Sequence, residues 1–584
     1  MATRSRSPQR RPRAAPSGPS DPSTGPSSPR ELIVVTRPDA ELRSGAAGVS
    51  SAAGFDVTSL DQLLRDEGVV MTPLFGPEER VRAEVAASMS PGVAEGPPLW
   101  AFYAVDAPDD RLDALASRLN AQEIVDGAYV KPPSEPPVIV DEQAAALNDM
   151  TPLAGDAPPA TPDFTNRQGY LDAAPGGIDA RYAWTLSGGG GAGVRIIDCE
   201  WGWRFTHEDL RQNQGGVVAG TGSTDTNHGT AVLGEISGDR NTLGVTGIAP
   251  DAVISASAFS VASATAIRSA ADRLGPGDII LLEIHRGGPN TPSPPQGQMG
   301  YIAIEWWPDD FAAIRYAVNK GIIVVEAAGN GFQNLDDAIY GVRPAGFPTS
   351  WTNPFNPNNP SSGAVVVGAG APPSGNWGTD RSRLDYSNYG ARVDAQGWGR
   401  EVVTTGYGNL QGGTDSDLWY TDTFSGTSSA SPIVVGAIAC VQGVLRARGR
   451  IPLSPSRARE LLRASGSPQQ DTAGRPASQR IGNRPNLRSL IAAATPQVTP
   501  WTGVQFRGSV AARQTQCWFT FRWPAHWHVV WTVVPTTPVP GAPQISWRVR
   551  IERASDTYAT YWICITNLTG AAVEIEARYA VLGW

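Results

Sequence analysis

Three short stretches carry side chains whose chemistry could cooperate. Asp198 closes the apolar run VRIID (194–198). His228 stands in NHGT (227–230), just ahead of the apolar AVLGEI. The segment FSGTSSASP (424–432) sets Ser425, Ser428, Ser429 and Ser431 before the apolar PIVVGAIACVQGVL. A serine hydroxyl is a poor nucleophile near neutral pH and needs a neighbouring base to take its proton. An imidazole steadied by a carboxylate supplies that base. Each stretch alone also suits a structural role: a buried Asp capping a helix, a His hydrogen-bonded at a helix start, or Ser and Thr as N-caps. Together they run in the order Asp, His, Ser, which is one of the known chain orders of a catalytic triad. Each also lies where a strand ends or a helix begins, the place where reactive groups gather in an α/β sheet.

Elements able to hold these residues are legible around them. VRIID, DIILLEI (278–284), GIIVVEAAG (321–329) and AVVVGAG (364–370) are apolar on both faces and alternate with helical segments such as 309–319. That pattern implies a parallel sheet covered on both sides, a three-layer α/β domain over 164–495. FSGTSSASP leads into a helix expected over 432–445, and WTNPFNPNNPSSG (351–363) reads as an inserted loop. Upstream, 31–140 reads as a small α+β domain: a strand over 99–105, a helix over 109–119 with Leu112, Leu115 and Leu119 at helical spacing, and a strand over 123–130. A stretch rich in Pro, Ala and Asp follows, with 141–163 taken as linker. The last part, 500–584, alternates aromatic and β-branched residues with period two in CWFTFRW, HVVWTVV and TYWICITN, which indicates a small antiparallel β-sandwich.

Composition narrows the function. The 584-residue chain is long enough for several domains. A net charge of -9 and a pI near 5.3 speak against nucleic acid as a main partner. The first thirty residues are rich in Arg, Pro and Ser with almost no bulky apolar side chain, so 1–30 reads as a disordered basic tail. It has no apolar h-region of a secretory signal, and no stretch approaches 18 uninterrupted apolar residues, so no membrane partner is expected. A cytoplasmic location and export by an unrecognised route both stay open. Four cysteines (Cys199, Cys440, Cys517 and Cys564) are too few for a disulfide framework, although a Cys517–Cys564 bridge is one option.

The flanking residues add a resemblance. GVRIIDCEWGWRFTHEDL (193–210), NHGTAVLGEISG (227–238), TLGVTGIAPDA (242–252), VVEAAGNG (324–331), SNYGARVD (387–394) and SGTSSASP (425–432) resemble, in register, the subtilisin-like serine proteases, the subtilases. The resemblance implies a serine endopeptidase that hydrolyses peptide bonds in proteins through an acyl-enzyme. It implies Ser428 as nucleophile, with its serine neighbours as framework, and His228 as base. Asp198 would accept the other ring N–H, and the Asn330 amide with the Ser428 backbone N–H would stabilise the oxyanion. Ala327, Ala328 and Gly329 would line one wall of the substrate groove, and His285, Arg286 and Gly287 the opposite strand.

Three departures stand out. His285-Arg286 replaces small or apolar residues, which suggests a preference for an acidic residue upstream of the cut. Cys199-Glu200 replaces Ser/Thr-Gly after the Asp, and AQGWG (395–399) replaces A-P-G. The resemblance also implies no cofactor for the chemistry, and a structural calcium held by Asp209, Asn241 and the carbonyls of Leu243 and Val245. The 99–130 segment resembles an inhibitor-type propeptide, so the expected partners are a protein or peptide substrate and the chain's own N-terminal domain, in a monomer autoprocessed or autoinhibited between about 131 and 163. The alternatives are a non-catalytic binding scaffold on the same fold, whose signature of lost catalytic residues is absent, and the serine-carboxyl peptidases, which use Glu as base and lack a His such as that of NHGT.

Overall fold

The computed structural model describes residues 27–45, 48–87, 97–138, 157–495, 501–555 and 557–583. At its centre is a seven-stranded parallel sheet. Its strands run in the spatial order Ala395–Trp398, Val365–Gly370, Ile323–Ala327, Ile279–Leu282, Arg195–Glu200, Val253–Ala258, Gln214–Ala219. Helices cover both faces, and the apolar-on-both-sides sequence is the reason. Along the central strand Ile196 packs into one core, while Ile197 and Cys199 pack into the other. Each layer thus buries alternate residues of the same strand.

The helix Thr427–Ala447 runs through the first core. It is 21 residues long and apolar enough to cross a membrane, yet it is buried inside the fold from Thr427 to Leu445. It is the core helix of a folded domain. It begins at Thr427 rather than at Pro432, with Pro432 inside it, so Ser428 is its second residue.

The N-terminal unit is a four-stranded antiparallel sheet in the order Met71–Pro73, Phe102–Val105, Glu31–Thr36, Val125–Lys131. Leu112, Leu115 and Leu119 of the helix Leu112–Asn120 are buried against it, as their spacing predicts. Residues 27–30, expected to belong to the disordered tail, take part in the fold: Ser28 bridges to Ser134, and Arg30 forms ion pairs with Asp109 and Asp113. The rest of the expected basic tail, and most of the expected linker, lie outside the described residues. The C-terminal part forms two three-stranded sheets, Trp501–Val510, Val573–Gly583, His528–Pro535 and Thr515–Pro524, Tyr558–Asn567, Ile545–Glu552, around a shared apolar core. A Cys517–Cys564 disulfide links the first two strands of the second sheet.

Candidate active site

The central strand does not end at Asp198; it continues in regular register to Glu200, which pairs with Ala258. Side chains two apart on a strand share a face and are separated by about 6.6 Å along it. Asp198 and Glu200 therefore point the same way, with Glu200 one step nearer the strand's C-terminal end. His228, the second residue of the helix Asn227–Ser237, meets Glu200 and not Asp198. Its Nδ1 lies 2.8 Å from Glu200 Oε1 and 2.9 Å from Oε2. Asp198 Oδ2 instead accepts the Trp203 Nε1–H at 2.7 Å, and its Oδ1 has no partner among the described residues. The hydrogen bond expected from Asp198 is thus made by the departure residue two positions on. The tight turn expected there is replaced by continuing strand.

Burial sets the electrostatics. Glu200, His228 and Asp198 are all shut off from solvent. Burial raises the Glu200 carboxyl well above the usual carboxylate range and lowers the His228 imidazole to about 4. Burial disfavours the charged form of each group. Asp198 is raised by burial and then by the charge of Glu200 beside it, which favours its neutral form. The His228 ring is held edge-on against Phe424, with centroids 5.5 Å apart.

Ser428 Oγ and His228 Nε2 are both buried and have no hydrogen-bond partner among the described residues. Gly426, at φ 105°, delivers the chain into the helix Thr427–Ala447. A Cβ there would lie 2.2 Å from the Pro137 carbonyl oxygen, so both conformation and closeness require glycine. Asn330 is tied to the same turn: its Oδ1 accepts the Thr427 N–H and Oγ1–H at 2.9 Å each, leaving Nδ2 to donate. That Nδ2 donates to Gln298 Oε1 at 2.9 Å.

The cleft holds a segment of this same chain. Ser134–Glu135 pairs antiparallel with His285 and Arg286, and the other edge of His285–Gly287 pairs with Tyr301–Ala303. Beyond it, the Pro136 carbonyl accepts from Gln298 Nε2 at 2.9 Å and the Pro137 carbonyl accepts the Ser428 N–H at 3.3 Å. The Val138 N–H folds back onto the Pro136 carbonyl at 2.9 Å. The His285 side chain also steadies Asn330. Its Nδ1 accepts the Asn330 N–H at 3.3 Å, a neutral-ring role that suits burial lowering it to about 3.

Arg286 does not meet an acidic residue of the cleft-bound segment. It is fully buried, donating to Glu31, to the Pro132 carbonyl at 2.7 Å and to Ser263 Oγ at 3.0 Å. Ala327 ends its strand, and Ala328 and Gly329 carry the chain to Asn330, braced by Asn388. Glu200 could have been found in the sequence from the two-residue period of the strand. Gln298 and Pro137, far apart in sequence, gave no such signal.

Two of the expected calcium ligands, Asp209 and Asn241, meet each other. Asp209 Oδ1 accepts from Asn241 Nδ2 at 2.7 Å and Oδ2 accepts the Val245 N–H at 2.6 Å, while Asn241 Oδ1 accepts the Leu243 N–H at 2.8 Å. Calcium needs six or more oxygens. Here one carboxylate is saturated with N–H donors and pushed by burial up to about 8, which favours its neutral form. Among the described residues no group of three or more His, Cys, Asp or Glu could hold a metal ion.

The chain has counterparts among known proteins. Residues 206–482 match the profile of the Subtilase family, and the chain belongs to that family. It is similar to Subtilisin BL of Lederbergia lenta, at 30% identity over 261 residues that span 43% of this chain and 77% of that protein. It is also similar to Thermitase of Thermoactinomyces vulgaris, at 28% over 314 residues, 50% of this chain and 86% of that protein. An Alkaline protease of Alkalihalobacillus alcalophilus is 29% identical over 261 residues, and there the chain spans only about half, 54%, of the relative's length. The profile match begins at residue 206, downstream of the strand on which Asp198 and Glu200 lie.

Proposed function

We propose that this chain is a serine endopeptidase, made with its own N-terminal unit seated in the substrate cleft. The observation that carries the reading is the Pro137 carbonyl against the Ser428 N–H, where the carbonyl of a bond under attack would lie. In the reaction, Ser428 Oγ adds to the substrate carbonyl as His228 Nε2 takes its proton. Glu200 accepts the Nδ1–H and balances the imidazolium as it forms. The oxyanion is met by the Ser428 N–H and by Asn330 Nδ2, which must first leave Gln298. The proton then passes from His228 to the leaving amine. Water, deprotonated by the same His228, releases the acyl group.

The bound segment fits an inhibitor better than a substrate. Two successive prolines supply no N–H to the cleft, and the turn onto Pro136 takes Val138 away from the extended line a scissile bond needs. The test compares wild type with Ser428→Ala for labelling by a fluorophosphonate, casein hydrolysis and processing of the N-terminal unit. Labelling and hydrolysis by wild type alone are expected. A folded wild type that does neither defeats the proposal.

A further inference from the structure

The segment that enters the cleft is anchored at its upstream end by a buried lysine. Lys131 is fully buried, and its Nζ sits 2.5 Å from Asp309 Oδ2, 3.1 Å from Asp310 Oδ2, 3.0 Å from Ser263 Oγ and 3.2 Å from Glu31 Oε2. Ser263 in turn donates to Asp310 Oδ1 at 2.6 Å, and Tyr129 OH donates to Asp309 Oδ1 at 3.0 Å. Three of these partners, Ser263, Asp309 and Asp310, belong to the peptidase domain, on the first turns of the helices Ser263–Ala271 and Pro308–Asn319. Lys131, Tyr129 and Glu31 belong to the N-terminal unit.

From Lys131 the chain runs without a break through Pro132, which accepts from Arg286, and Ser134–Glu135, which pairs with the cleft strand, to Pro137 at the nucleophile. A polypeptide that replaces it along the same line brings its own residue, six positions before the one acylated, to the same place. With the N-terminal unit docked, the buried charges are Asp309, Asp310 and Glu31 against Lys131 and Arg286. When that unit leaves, the excess of one negative charge is the same, but Asp309 and Asp310 lose the ammonium in direct contact with both of them and keep Arg286 as their nearest cation. A buried carboxylate that loses its cation is strongly unfavourable until another cation replaces it.

We propose that Ser263, Asp309 and Asp310 form a specificity socket of the peptidase domain for a lysine or arginine side chain six residues upstream of the acylated residue, with Lys131 as its resident occupant. The socket names a substrate class, polypeptides basic at that position, and it rests on the proteolytic reading above. It replaces the acidic preference that Arg286 suggested in the sequence, since that guanidinium is spent on the N-terminal unit.

The test uses the full-length protein and a set of quenched fluorescent peptides identical except for Lys, Arg, Met or Glu at that one position. Wild type is expected to cut the Lys and Arg peptides with kcat/KM about 10- to 100-fold above the Met peptide, the scale of a buried charge-assisted contact, with Glu slowest. Because the comparison lies within one enzyme, it is independent of any variant's folding. In Asp309→Asn and Asp310→Asn the Lys-to-Met ratio is expected to fall toward one. Peptides cut at equal rates overturn the socket and leave the peptidase standing. If no peptide is cut by wild type or by the full chain carrying Lys131→Met, which frees the cleft, the peptidase and the socket fall together.

Discussion

Replacing Glu200 by Gln and Asp198 by Asn separates what the structure places beside His228 from what the family motif places there. Glu200 offers both oxygens to Nδ1, at 2.8 and 2.9 Å. In Glu200→Gln one oxygen becomes an NH2. Turned toward the ring, it makes Nδ1 an acceptor and forces the proton onto Nε2, where it cannot receive that of Ser428. Turned away, it leaves an oxygen that accepts the N–H but carries no charge to balance the imidazolium. Losing tautomer control and the anion together costs roughly 10⁴-fold in kcat in triads of this logic, about 5 kcal/mol of barrier. Asp198→Asn keeps an oxygen for Trp203 Nε1–H and sits one strand step behind His228, so a loss of no more than about 10-fold is expected. The assay is kcat/KM on a fluorogenic peptide together with the fluorophosphonate labelling rate, each variant checked for an unchanged thermal transition. A 10⁴-fold loss in Asp198→Asn with Glu200→Gln near wild type refutes the assignment.

Further outcomes are expected from other parts of the site. Asn330→Ala removes an oxyanion donor and should lower kcat by about 10²–10³ with little change in KM. Lys131→Met leaves Asp309 and Asp310 buried without their cation; a destabilisation of docking by about 3–5 kcal/mol should speed fluorophosphonate labelling of the full chain by 10²-fold or more, and an unchanged rate removes Lys131 as the anchor. Asp209 titrates near 8 in the fold against an ordinary value of 3.8. Its contribution to stability is therefore complete below pH 4 and lost as pH rises through 8. Asp209→Asn should flatten the fall in thermal transition temperature across that window, and an unaltered slope sinks the reasoning. Gly426→Ala should abolish labelling, because the new methyl occupies the place of the acylated carbonyl.

The sheet, the nucleophile helix and the positions of His228 and Ser428 were legible in the sequence because they follow from local pattern: apolar runs on both faces, a glycine-led turn, a histidine ahead of a helix. The acid was misread for a physical reason. The motif expects a turn after Asp198, but Cys199 has a core to enter and Glu200 a histidine to meet, so the strand runs on and the carboxylate in contact with His228 lies one step further along. Arg286 read as a cleft residue, yet its partners Glu31 and Pro132 lie more than 150 residues away along the chain, where spacing carries no information. The calcium expectation rests on the family resemblance, and here Asp209 and Asn241 are engaged with each other and with backbone N–H groups.

Ser428 sits near the start of a helix buried from Thr427 to Leu445 in the largest core, whereas the segment that fills the cleft is held by two residues of strand pairing and a few side chains. These two parts must differ in how often they open. Amide protons along 433–444 can exchange with solvent only when the whole peptidase domain unfolds, while those of Ser134 and Glu135 exchange whenever the segment lifts. On the proposed reading, the cleft can therefore be uncovered and covered again many times within the lifetime of one folded molecule, with the geometry of Ser428 never relaxing in between.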